Sequence, residues 1–331
     1  EVYGPADLYF FDEIQNVENY EIAIRKLQDN GKKVILTGSN SSMLSMETGT
    51  KLTGRYKQVE MFPFSFSEFL RFREFPVEEK DFYLPERKIP LLQKFSQWLE
   101  DGGLPEYLLY QDRDYVSTLF DNILYRDIIA RFGIRRIKEF RELVLLLSSN
   151  LTLPVTYTSL QKAIGISNAD TVREYIGFLS DAYMFYELRQ FHHSLKKQLR
   201  TPRKIYLNDP AFHNLTGFNP SRNIGRKLEN AIYLELRRSG SEIYTYTGKG
   251  ECDFVSISSD RQITLFQVCY ELNADNEKRE LNGLLEAMIY FDLKRGTILT
   301  YDQEKTVTSG ERMIEVSPAW KWMLVSPLSQ R

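Results

Sequence analysis

Asp12 and Glu13 follow directly on the apolar run Leu8-Tyr9-Phe10-Phe11. Four apolar residues feeding two acids predict a buried strand that delivers carboxylates to its carboxyl end. From there Asp12 would hold magnesium through water and Glu13 would polarise the attacking water. Hydrolysis of a phosphoanhydride needs charge neutralisation and an oriented nucleophile, without covalent help. A second apolar run, Val34-Ile35-Leu36, ends in Thr37-Gly38-Ser39-Asn40, which sets short polar side chains beside the acids if both runs are strands of one parallel sheet. Gly54-Arg55 offers a cation to a developing γ-phosphate charge. Each feature also has a plain structural reading. Asp12-Glu13-Ile14-Gln15 spells an N-cap with Gln at the third helical position, and a lone Arg in a turn is commonly solvated surface.

The last third holds a second set of candidates. Glu251-Cys252-Asp253 lies on one predicted strand and Gln267-Val268-Cys269 on the next. Alternation pairs Asp253 with Glu251 and Gln267 with Cys269 and turns Cys252 away from Asp253. With Glu229 on an upstream helix, this set looks similar to the PD-(D/E)XK nuclease fold, whose cutters place two carboxylates and a lysine around magnesium. Asp253 is then the metal-holding acid. Gln267 stands where the second carboxylate belongs and Cys269 where the lysine belongs. A neutral amide holds a hard cation less well than a carboxylate, and a thiol carries no fixed positive charge. The expectation is a nuclease-like domain that does not cut. If Asp253, Gln267 and Cys269 converge, the two thiols lie on opposite faces and form no disulfide.

These candidates need elements to position them. At 331 residues the chain is long enough for two or three domains. Its 27% charged, 42% hydrophobic and 13% aromatic residues describe a packed globular protein. The expected fold class is α/β: a partial P-loop parallel sheet, a helical and winged-helix middle, and a restriction-endonuclease-like α/β domain at the end. Residues 1–75 read as strand 8–11, helix 19–30, strand 33–37 and a third strand from Tyr56 to Met61, with Ser67 as a helix cap after the aromatic run that begins at Met61. Residues 76–150 read as a helical connector broken at Gly102-Gly103-Leu104-Pro105. Residues 151–215 read as a winged helix-turn-helix, two short helices about the turn Ser167-Asn168-Ala169-Asp170 followed by a strand at 184–188. Residues 216–331 give helix 224–238, strands 242–246, 252–257 and 263–270, helix 277–292 and strand 296–301.

A net charge of −2 excludes a uniformly basic protein, so contact with nucleic acid must come from a local patch. The stretch from His192 to Lys204 supplies one, with Lys196, Lys197, Arg200, Arg203 and Lys204 and no acid. Arg173 and Glu174 are the only charges on the recognition helix between Thr171 and Ser180, too few to read bases. The expected partner is therefore DNA gripped by its phosphates without sequence preference, in a salt-sensitive manner. Winged helices also serve as protein-interaction modules. No apolar stretch reaches the roughly 20 residues that span a bilayer, and a cytoplasmic protein without membrane association is expected.

Several strings in order resemble prokaryotic AAA-superfamily ATPases that carry a C-terminal domain of unknown function: DEIQN (12–16), LTGSNSSML (36–44), LTGRY (52–56), FPFSFSEFL (62–70), DGGLPEYLL (101–109), TVREYIGFLSDAYMFYEL (171–188), RKIYLNDPA (203–211) and LENAIYLELRR (228–238). The resemblance implies Asp12 and Glu13 as Walker B, Ser39 or Asn40 as sensor 1, Arg55 as a sensor or finger, and ATP with magnesium as cofactors. It leaves room for an oligomer, since rings are frequent in the superfamily. The G-x-x-x-x-G-K-[ST] phosphate loop is absent, only seven residues precede Leu8, and there is no initiator Met. The chain accordingly reads as the later part of an ATPase whose nucleotide site is divided, and which by itself binds ATP poorly. The function expected of the intact protein is an ATP-driven switch acting on or near DNA. The alternatives are an active magnesium-dependent nuclease under ATPase control and an interaction module in which neither site turns over.

Overall fold

The computed structural model describes residues 6–14, 17–39, 56–214 and 224–325 of the chain. Its first unit is small. Strand β1 (Leu8–Phe11), helix α1 (Tyr20–Asp29) and strand β2 (Lys33–Leu36) form a parallel pair with a crossover helix, in the register Leu8 to Lys33 through Phe11 to Leu36. Phe11, Val34 and Leu36 pack on Ile14, Tyr20 and Ile24. Among the described residues nothing covers the other face: Leu8, Phe10 and Ile35 are 55%, 62% and 49% exposed. The expectation of a buried strand is thus corrected to a half-covered one, because one helix covers only one side of a period-2 strand.

Residues 56–61 form no strand and pair with no strand among the described residues, contrary to the third strand expected there. They form a strap instead, with Glu60 accepting from the Tyr186 hydroxyl at 3.0 Å and from Arg237 at 2.9 and 3.2 Å. Helix α2 (Phe66–Phe72) begins at Ser65, not at the expected Ser67. Ser65 Oγ accepts from the Glu68 amide and Glu68 Oε2 accepts from the Ser65 amide at 2.8 Å, a reciprocal cap that Ser67, already inside the helix, cannot make.

Helix α3 (Pro85–Asp101) has Pro85 at its first turn and buries Leu91, Phe95, Trp98 and Leu99. It stops at Gly102, whose φ of +77° suits glycine. Helices α4 (Pro105–Tyr110), α5 (Arg113–Asn122, continuing in wider turns through Ala130) and α6 (Ile137–Ser149) follow. Helices α7 (Tyr157–Ile164) and α8 (Ala169–Asp181) are joined by the turn at 165–168, with Thr156 and Asn168 as side-chain caps. An antiparallel hairpin of β3 (Phe185–Arg189) and β4 (Arg203–Leu207) comes next, its connection containing the short helix α9 (Leu195–Gln198). Helix α10 (Pro210–His213) leads to the last unit.

That unit consists of α11 (Ile224–Arg238), β5 (Glu242–Thr247), β6 (Glu251–Ile257), β7 (Ile263–Val268), α12 (Glu277–Tyr290), β8 (Arg295–Thr300), β9 (Lys305–Ser309), β10 (Arg312–Pro318) and α13 (Ala319–Val325). The sheet order is β5-β6-β7-β8-β10-β9, parallel at β7/β8 and β8/β10 and antiparallel elsewhere. Two cores divide it. Cys252, Val255 and Leu265 lie under Leu284 and Met288 of α12. Phe254, Phe266 and Val268 pack with α11, α13 and also with Phe66, Phe95 and Trp98 from α2 and α3. Helices α4 to α8 and the other face of the hairpin make a further core around Phe140, Leu143, Ile176 and Phe185. Sequence reading missed β9, β10 and α13.

Candidate functional site

The parallel register sets the first candidate site. Since Phe11 lies opposite Leu36, the residues just past the strand ends meet. Thr37 Oγ1 donates to Asp12 Oδ1 and accepts from the Glu13 amide at 3.1 Å. The Thr37 amide donates to Phe11 O at 2.9 Å, so the two strands remain zipped up to the acids. Glu13 sits at φ +49°, a left-handed conformation that turns the chain sharply where the strand ends. Asp12 and Glu13 are exposed, and Ser39 is half-buried. Helix α1 starts at Tyr20 behind Asn19, so Asp12 does not cap it. Thr37 makes the contact with the acids, where Ser39 or Asn40 is the residue expected from the sequence. Asn40 and Arg55 lie outside the described residues. An exposed carboxylate beside a hydroxyl, with a second carboxylate on the next residue, is a donor set suited to a hard cation held largely through water.

The second candidate site is organised differently from the expected quartet. Tyr244 lies opposite Val255 while Tyr246 lies opposite Cys252, so β6 carries an extra residue at this point. The slip leaves Cys252 turned away from Asp253, as alternation predicts, but puts the Asp253 side chain on the face opposite Gln267 and Cys269. Cys252 and Val255 both join the core under α12, and Asp253 turns toward β4 and α11. There Lys204 Nζ lies 2.7 Å from Asp253 Oδ1 and 2.9 Å from Glu229 Oε1. Tyr206, two residues along β4, donates to the same Glu229 oxygen at 2.9 Å. Asp253 Oδ2 accepts from the Val268 amide at 2.9 Å.

Gln267 and Cys269 are not part of this cluster. Gln267 accepts from the Asp253 backbone amide at 3.1 Å and donates to Glu280 on α12 at 2.6 Å. Cys269 lies in the core under α12 with Cys252, so the thiols share one core where opposite faces were expected, and both are free. Burial pushes both thiols up, Cys269 to about 12, which leaves neither as a thiolate at neutral pH. Among the described residues no three acids, histidines or cysteines are placed together to hold a metal ion.

Burial governs the charges. It pushes the Glu229 carboxyl up to about 7, helped by the Asp253 charge and opposed by Lys204 and Tyr206. For Lys204 burial works against the charge, yet the two carboxylates outweigh it and the ammonium is held above its ordinary range. Burial and the same carboxylates raise the Tyr206 hydroxyl far beyond its usual range.

The basic run divides in two. Lys196, Lys197 and Arg200 are exposed on and just after α9 at the tip of the hairpin, and Arg173 is exposed on α8. Arg203 and Lys204 were expected on the same DNA-facing surface. They are 6% and 8% exposed and are corrected to interior residues. Arg203 lies over the Tyr157 ring at 4.4 Å with Glu187 3.6 Å away. Both belong to β4, where strand pairing and docking bury them. The signal for Lys204 was available in part: Lys204 and Tyr206 are two apart on one strand and share a face.

Residues 1–70 match the AAA domain family, and residues 92–222 match a domain of unknown function, DUF8612. An uncharacterized protein of Methanocaldococcus jannaschii is 34% identical over 95% of this chain and 74% of its own length. An uncharacterized protein of Haemophilus influenzae is 28% identical over 96% of this chain and 78% of its own. No solved structure matches the chain. No helix among the described residues is long and apolar enough to cross a membrane.

Proposed function

The chain belongs to the same family as the Methanocaldococcus jannaschii protein, and we propose that it serves an ATP-driven switch that acts on or near DNA and whose C-terminal domain does not cut. The observation that carries the ATPase reading is the pairing of Asp12 with Thr37 at the carboxyl ends of two parallel strands. It is the place where an open α/β sheet meets its ligand. Magnesium, when bound with ATP, supplies neutralisation of phosphate charge. Asp12 is the residue that would hold it, its orientation set by the Thr37 hydroxyl, and Glu13 would orient and polarise the attacking water. The AAA match over residues 1–70 supports this assignment.

The DNA reading rests on Lys196, Lys197 and Arg200, three exposed cations at the tip of a hairpin that follows two helices joined by a tight turn. These would contact phosphates and not bases. The non-cutting reading rests on Gln267 and Cys269, which serve the α12 side of the sheet and add no ligand to Glu229 and Asp253.

The test is ATP hydrolysis by the full-length protein. Glu13→Gln should lower turnover by roughly 100-fold or more, the range for loss of a general base, while ATP binding persists. Unchanged turnover removes Glu13 from the role. Plasmid cleavage in magnesium that Asp253→Ala abolishes would establish a nuclease in place of the non-cutting domain. Absence of DNA binding at low salt would leave the interaction module.

A further inference from the structure

In the PD-(D/E)XK arrangement two carboxylates face each other across a divalent cation. Here Glu229 from α11 and Asp253 from β6 face each other across the ammonium of Lys204, at 2.9 and 2.7 Å. The lysine comes from neither element. It is brought in by β4, which belongs to the hairpin after α8. We propose that Lys204 is a built-in cation standing in the place of a metal ion, and that its pairing with Glu229 and Asp253 latches the β3–β4 hairpin onto the C-terminal sheet.

Three observations support the inference beyond the ion pairs. First, a metal does not fit while the lysine is there. One Nζ takes an oxygen from each acid, the other Asp253 oxygen is engaged by the Val268 amide, and Tyr206 adds a donor to Glu229. Three of the four carboxylate oxygens thus carry hydrogen-bond donors, and the ammonium itself occupies the position between the two acids that a bridging cation would need. Second, the hairpin is pinned by further contacts. Asn230, next to Glu229, accepts from the Leu207 amide at 2.8 Å and donates to Leu207 O at 3.0 Å. The Phe191 amide donates to Thr245 O on the edge strand β5 at 2.7 Å. Third, the junction between hairpin and sheet leaves a cleft of only about 140 Å³, lined by Pro202, Lys204, Thr245, Tyr246, Glu251 and Cys252 among others. Sites for small molecules usually exceed about 300 Å³, so the hairpin closes tightly on the sheet beside Lys204.

The lysine side chain is 10% exposed and the acids 12% and 8%. Removing one member of a buried charge cluster leaves the others uncompensated, whereas replacing the whole cluster by neutral groups is often tolerated. That asymmetry gives the test, carried out on the full chain by urea unfolding and by Mn²⁺ binding measured with electron paramagnetic resonance. Lys204→Met should lower the folding equilibrium of the C-terminal unit by roughly 100-fold or more, and the triple variant K204M/E229Q/D253N should regain most of that loss. Wild type should bind no Mn²⁺ that Asp253→Asn removes, and any response of its unfolding midpoint to millimolar Mg²⁺ should persist unchanged in Asp253→Asn. A wild-type Mn²⁺ site lost in Asp253→Asn overturns the proposal, as does a Lys204→Met variant as stable as wild type. Should Lys204→Met not accumulate folded, the triple variant decides: recovery of the fold supports the charge latch and continued loss overturns it. The proposal extends the non-cutting reading but is separable from it. A domain that neither cuts nor depends on Lys204 sinks the latch alone.

Discussion

Gly103 is where the end of α3, the segment entering α2 and the start of α10 meet, and substituting it by alanine is predicted to be among the most damaging single changes in the chain. Its carbonyl accepts from the Phe64 amide at 2.8 Å and its amide donates to Asp209 Oδ2 at 2.7 Å. Phe64 O in turn accepts from the Trp98 indole at 3.0 Å. A Cβ on Gly103 would stand 2.3 Å from Phe64 O and 2.6 Å from Phe64 N, against backbone that no rotamer change can clear. The Phe64 segment must therefore move away and break these bonds. Two neutral hydrogen bonds at about 0.5–1.5 kcal/mol each and one to a buried carboxylate at about 1.5–3 give a loss of roughly 3–5 kcal/mol. Gly165 provides the control, because its φ is +71° but nothing lies within 4 Å of its added Cβ. Gly165→Ala should cost only the left-handed strain, about 1 kcal/mol. Thermal unfolding followed by tryptophan fluorescence reads the right region, since Trp98 and Trp320 are buried in one core and Trp322 packs against it. At about 2–4 °C per kcal/mol the predicted shifts are roughly 6–20 °C for Gly103→Ala and 2–4 °C for Gly165→Ala. Equal shifts for the two, or a Gly103→Ala loss below about 1 kcal/mol, would refute the close-approach argument.

Ser65→Ala should destabilise α2 by about 1 kcal/mol while Ser67→Ala changes little, because Ser65 alone carries the reciprocal cap; hydrogen exchange at the Glu68 amide is the direct readout. Burial holds the Glu235 carboxyl up to about 7, so the folded state binds more protons than the unfolded one between about pH 4.5 and 7. The stability this group contributes is full below that window and is lost as pH rises through it, by up to about 3 kcal/mol. Urea midpoints should accordingly fall less between pH 5 and pH 8 in Glu235→Gln than in wild type, and parallel pH profiles would discard the assignment. Replacing Lys196, Lys197 and Arg200 together by alanine should flatten the salt dependence of DNA binding by about 0.9 per lost phosphate contact, whereas Arg203→Ala should lower stability and leave that slope unchanged.

The C-terminal unit was legible wherever one periodicity ran uninterrupted. Helix α11 has its predicted ends, and β5, β6, β7, α12 and β8 lie within two residues of expectation, because amphipathic stripes and strand alternation are local signals. The parallel pairing of β1 with β2 and the meeting of Asp12 with the Thr37 turn were legible for the same reason. What escaped depended on partners distant in the chain. Residues 56–61 look like a strand by composition, yet their hydrogen bonds go to Tyr183, Tyr186 and Arg237, more than a hundred residues away. The extra residue in β6 is invisible to a period-2 reading, and with it the Asp253 side chain faces β4 and α11 while Gln267 and Cys269 face α12. Lys204 shows the limit most clearly. Five cations without an acid read as exposed surface, since water is the ordinary counterpart of an unpaired charge. Two of the five had their anions elsewhere, Glu187 for Arg203 and both Glu229 and Asp253 for Lys204. A strand that must bury its charge therefore has to be read together with the acids that compensate it, and only docking of the hairpin on α11 and β6 brings those acids within reach.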